Sequence, residues 1–78
     1  MITGLVLVRL AAGKETSAIA DIKKIHGVKG ATGTFGSWDA MAMVQANDLE
    51  TLAEVVVSKI RAIAGVSMTE TLIEVGLQ

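Results

Sequence analysis

Gly33-Thr34-Phe35-Gly36-Ser37-Trp38-Asp39 is a glycine-punctuated turn that holds the only Phe and the only Trp of the 78-residue chain. Such a stretch between two apolar runs reads as the tip of a β-hairpin. Val28 to Thr34 leads into it as a strand, weakened by Gly30 and Gly33, which predict a bulge or a close backbone approach. Ala40 to Ala46 leads out, alternating Met41 and Met43 against Ala40, Ala42 and Val44. That period of two belongs to a strand with two unlike faces. The tip is also where chemistry is expected, because binding groups favour loops held on a rigid scaffold.

Outward from the hairpin, each side repeats the same plan. Ile2 to Leu10 is a strand with Ile2, Val6, Val8 and Leu10 on one face and Leu5 and Leu7 on the other. A strand that is apolar on both faces is covered on both. After Gly13, Lys14 to His26 reads as a helix with Ala18, Ile19, Ile22 and Ile25 along one narrow stripe. On the far side, Asn47 or Asp48 caps a second helix, with Glu50 three residues after Asn47 as in a capping box. Leu49, Leu52, Val56, Ile60 and Ile63 step by three and four along it, while Val55 and Val57 lie off that stripe. Gly65 stops the helix, and Val66 to Val75 reads as the last strand.

The words Lys24-Ile25-His26-Gly27-Val28 and Ala62-Ile63-Ala64-Gly65-Val66 both end a helix in Gly-Val and open a strand. The order is therefore β-α-β-β-α-β, two β-α-β units joined by the hairpin. Right-handed crossovers then put both helices on one face of a four-stranded antiparallel sheet, the ferredoxin-like α+β sandwich. Residues 1–78 form one domain, with no linker or low-complexity tract.

Composition limits the function. With 51% apolar residues, no Cys and one His, a chain of this size has neither a disulfide nor an evident metal cluster to staple it. A subunit interface is the natural outlet for so much hydrocarbon, which predicts an obligate homo-oligomer. The net charge of −1 gives no basic footprint for direct nucleic-acid binding. Lys23, Lys24 and Lys29, with Asp21 among them, read as a solvated helix end. No run approaches the about 18 apolar residues of a membrane span, and Arg9 with no basic segment before it argues against a signal peptide, so a cytoplasmic location is expected. No cofactor is called for.

The residues in order resemble a known family. Val6-Leu7-Val8 with Gly13-Lys14-Glu15, then Gly27-Val28, Thr32-Gly33, the Gly-x-x-Asp tip at Gly36-Ser37-Trp38-Asp39, Asp48-Leu49, Ile63-Ala64-Gly65-Val66 and Thr69-Glu70-Thr71 are similar to the effector-binding domain of the leucine- and asparagine-responsive regulators (Lrp/AsnC). The resemblance runs over the whole chain. It implies a dimeric α/β assembly with facing sheets, built into octamers or similar rings of dimers, that binds a small amino acid between dimers. Full-length members carry an N-terminal helix-turn-helix. None fits before Ile2, so a stand-alone ligand-binding domain is expected, acting through a DNA-binding regulator of the same family.

The resemblance also implies site residues: Gly36, Ser37, Trp38 and Asp39 at the tip, and Thr69 and Thr71 on the last strand, with Leu72 beside them as an apolar wall. Gly36 would let the backbone approach a ligand, and the Asp39 carboxylate would accept from an α-ammonium group. Asp39 bonding only its own turn, and the threonines serving only as strand formers, remain open from spacing alone. Trp38 fits a subunit contact as well as a pocket. Met41 and Met43 read as adaptable packing. His26 has no Ser, Cys or paired carboxylate placed by sequence to make it a general base. The leading expectation is a non-enzymatic, oligomeric amino-acid-binding regulatory module. A small enzyme of the dimeric α/β-barrel kind, a purely structural oligomerisation module and an ACT-type regulatory domain are the alternatives.

Overall fold

The first strand, β1 (Ile2–Leu10), pairs antiparallel with two partners, so it takes an inner place in the sheet. A computed structural model describes residues 1–74, in the order β1, α1 (Glu15–Lys23), β2 (Val28–Gly33), β3 (Ala40–Ala46), α2 (Leu49–Glu54) running on as a π-helix (Val55–Ile60), and β4 (Val66–Ile73). The four strands form one antiparallel sheet in the order β2-β3-β1-β4. With both helices packed on it, this is the ferredoxin-like α+β arrangement. Val75, the expected end of the last strand, lies outside the described residues.

Alternation along β1 sorts its side chains as the sequence implies. Val6, Val8 and Leu10 are buried, Leu5 and Leu7 are half-buried, and Arg9 is exposed. Ala40, Ala42 and Val44 of β3 are buried beside them, and Ala18, Ile22, Leu52 and Ile60 close the core from the helix side. Small alanines on the central strands leave room for these bulky helix residues, which suits close interior packing. The opposite face of the sheet carries Leu5, Leu7, Met41, Met43, Met68 and Leu72, and among the described residues no element covers it. Contiguous exposed hydrocarbon of this kind marks an interaction surface. Among the described residues no helix is long and apolar enough to cross a membrane.

The duplicated words build duplicated turns. Gly27 and Gly65 take φ of +102° and +100°, and the following valines each donate to an isoleucine carbonyl three residues back, Val28 to Ile25 and Val66 to Ile63, both at 3.1 Å. Helix α1 is shorter than expected. It ends at Lys23, because Lys24 and Ile25 donate to Asp21 and Ile22 in tightened three-residue turns before Gly27. The expected bulge appears in β2, where the register shifts between Val28 and Gly30.

The second helix departs from expectation in two ways. Its cap is Asp48, not Asn47: the Asp48 carboxylate accepts from the Thr51 N–H at 2.7 Å, so the third helical position is Thr51 and Glu50 makes no capping box. Its second half is π-helical, with the Arg61 N–H donating to Val56, five residues back. Steps of four over-rotate an α-helix and under-rotate the wider π-turn, so Leu52, Val56 and Ile60 stay aligned on the core. The same widening turns Val55 inward, whereas the sequence placed it off the stripe, and Leu49 is left exposed.

The Thr51 main-chain N–H holds the Asp48 pKa below the ordinary aspartate value. A carboxyl whose pKa is lower when folded stabilises the fold above its unfolded value, and the contribution is lost as pH falls through the lowered one. Thermal melts of wild type and Asp48→Ala should therefore differ near neutrality, with the variant less stable, and converge in acid. Parallel curves at all pH values would remove this cap from the account.

Candidate functional site

The hairpin tip is fastened to β1 at several points. Val8 of β1 lies opposite Ala40, and just beyond that pair the Asp39 N–H donates to the Val8 carbonyl at 2.9 Å. The Asp39 Oδ2 accepts the Leu10 N–H at 2.7 Å, standing in for a ladder acceptor just beyond the last β1–β3 pair, Val8 with Ala40. Across the turn, the Thr34 N–H donates to the Asp39 carbonyl at 2.9 Å and the Thr34 hydroxyl to the Trp38 carbonyl at 2.6 Å. The Arg9 guanidinium donates from Nη2 to the Ser37 carbonyl at 2.8 Å and lies 5.4 Å from the Trp38 ring centroid. That distance is within cation–π range.

Within this frame Gly36 takes φ of +142°, a conformation that side-chain-bearing residues rarely adopt, and a Cβ there would meet nothing within 4 Å. Its backbone is open to an approaching ligand. Phe35 is fully exposed at the apex, Ser37 is exposed, and Trp38 and Asp39 are half-buried. The four tip residues are thus brought together on a braced loop. The Asp39 side chain thus bonds β1 and not only its own turn: Oδ2 serves the fold, and Oδ1 is not used in that bond.

Thr69 and Thr71 pair with Val8 and Val6, so they share the helix-side face. With Leu52, Val56, Val57 and Arg61 they line a groove of about 430 Å³ between β4 and the second helix. Leu72 does not stand beside them. It pairs with Leu5 and lines a separate hollow of about 340 Å³ with Leu5 and Met43 on the open face. Residues one apart on a strand point to opposite sides, which the expected apolar wall overlooked. In one chain, β1 lies between the tip on β3 and the threonines on β4.

Arg9 and Thr34 are the tip residues that sequence reasoning undervalued. Arg9 is the one charged residue in the apolar run of β1, and that interruption was the available signal. Thr34 braces the tip. Among the described residues no cluster of three metal-ligating side chains occurs.

Asp39→Ala leaves the part-buried Leu10 N–H without its acceptor and should destabilise the chain by about 1–3 kcal/mol in denaturant unfolding. Asp39→Asn keeps a carbonyl oxygen for that N–H and should retain most of the stability. Equal losses in the two variants would contradict the bracing role.

The family model described as the Lrp/AsnC ligand binding domain matches residues 3–75. No curated protein sequence matches. Among solved structures, TTHA0845 from Thermus thermophilus is 31% identical over 100% of this chain and 98% of its own, with a TM-score of 0.93. AsnC of E. coli is 26% identical over 97% of this chain but 52% of its own length, with a TM-score of 0.89. The transcriptional regulator NMB0573 from Neisseria meningitidis, solved as a complex with L-Met, shares the fold at 14% identity, covering 96% of this chain and 50% of its own, with a TM-score of 0.85. The hairpin, the paired crossovers and the match across residues 3–75 agree, and the chain belongs to the family of Lrp/AsnC ligand-binding domains.

Proposed function

We propose that this chain is a non-enzymatic, homo-oligomeric amino-acid sensor that regulates transcription or metabolism through a partner protein. A DNA-binding regulator of the same family is the kind of partner this reading calls for. The observation that carries it is the braced tip, an exposed turn that holds Gly36 at positive φ with open space where a Cβ would stand and fixes Asp39 three residues further on. An α-ammonium group on Asp39 would make a charge-assisted bond. The L-Met of the Neisseria regulator with the same fold agrees with this ligand class.

The threonine groove enters through assembly. In one chain β1 lies between the tip and Thr69 and Thr71, which supports a ligand that meets both sets between subunits. The uncovered face bearing Met43, Met68 and Leu72 supplies the apolar surface for pairing two copies. A purely structural assembly module is the second reading. It is favoured by the commitment of Asp39 Oδ2 to Leu10, which gives the carboxylate a purpose without any ligand.

Trp38 reports on the tip without a label. Titration of its fluorescence with each of the twenty standard L-amino acids should give a saturable change with one or a few of them. Asp39→Asn should weaken that binding by roughly tenfold or more while the fold persists. A flat response in a folded, oligomeric sample would favour the structural module. Native mass measurement should find a dimer or a multiple of it, and a stable monomer would remove the role given to the open face.

A further inference from the structure

Arg9 is anchored twice at the tip, yet neither contact neutralises it. Its recorded hydrogen bond goes to the Ser37 main-chain carbonyl, and its other contact is the Trp38 ring. Asp39, on the neighbouring strand, likewise spends Oδ2 on a main-chain N–H. The hydrogen bonds of this cation and this anion thus go to the backbone, not to each other. A guanidinium carries five N–H donors in a planar fork, so one bond to Ser37 leaves a donor edge unspent. The Trp38 ring, 5.4 Å from the guanidinium, adds a cation–π contact without accepting a conventional hydrogen bond.

The strand register explains why the two charges are neighbours at the foot of the same turn. Val8 lies opposite Ala40, so Arg9 and Asp39 are the next positions along β1 and β3 towards the tip. Val8 and Leu10 are buried while Arg9 is exposed, so alternation sends Arg9 away from the core. Ser37 and Trp38 fix its guanidinium there. A positive fork and a carboxylate held at neighbouring positions beside one exposed turn suit the two charges of a zwitterion.

Resting on the amino-acid reading above, we infer that Arg9 is the specificity-determining residue that recognises the α-carboxylate, while Asp39 takes the α-ammonium group. The fork binds a carboxylate through two parallel N–H···O bonds, which selects free amino acids over amides, amines and peptide-internal residues. Engagement draws the guanidinium edge towards the ligand and changes the environment of the Trp38 ring beside it.

The test compares affinity for an acid and for its amide. Wild type is titrated with the twenty standard L-amino acids, and each one that binds is then compared with its α-carboxamide, which keeps the ammonium group and side chain. The same pairs are measured with Arg9→Met and Arg9→Lys, by Trp38 fluorescence and by calorimetry. Wild type should prefer the acid by roughly tenfold or more, Arg9→Met should reduce that preference to about threefold or less, and Arg9→Lys should restore part of it. If Arg9 only braces the loop, Arg9→Met weakens acid and amide alike and leaves their ratio unchanged, which overturns the inference while the sensor reading stands. If no amino acid binds folded wild type, the sensor reading fails and the inference falls with it.

Discussion

Everything in this domain is positioned from β1, a strand with hydrocarbon on both sides that pairs along almost its whole length with β3 and β4. One face is closed by Ile22, Leu52 and Ile60 from the helices, and the other is left with Leu5 and Leu7 among methionines and Leu72. A slip of the β1–β3 register by one residue would exchange these faces, so the hydrophobic pattern fixes the pairing. The register in turn sets Val8 opposite Ala40, which is why the end of β1 can hold the hairpin tip through Val8, Arg9 and Leu10. Core packing and site geometry are two results of the same alignment.

The element order was readable because each piece carried its own punctuation. Gly27 and Gly65 take the left-handed turns that the repeated Gly-Val words imply, and the Met/Ala alternation of β3 became its two faces. What stayed hidden depended on which particular hydrogen bond forms, near in sequence or far. Whether Asn47 or Asp48 caps the helix turns on one N–H, that of Thr51. The π-turn was written only as two successive steps of four, Leu52 to Val56 to Ile60, and the inward turn of Val55 follows from it. At the tip, the type of residue was visible but the bracing was not. Nothing local to Asp39 says that its acceptor role is taken by Leu10, 29 residues away. Leu72 was misplaced against Thr69 and Thr71 because proximity in sequence was allowed to outweigh the period of two.

Membership of the Lrp/AsnC ligand-binding domains gives the tip a context, and the bonding around it gives the context a physical form. A glycine-punctuated, exposed turn would ordinarily be mobile. Here several hydrogen bonds and a cation–π contact brace it against β1.

The strand order β2-β3-β1-β4 has a consequence for how such a chain folds. β1 and β2 belong to the first β-α-β unit and β3 and β4 to the second, so every ladder in the sheet joins one unit to the other. Neither unit owns a strand pair, and neither is a subdomain. Either unit alone would keep two strands with no partner between them, so the ordering of one half is conditional on the other.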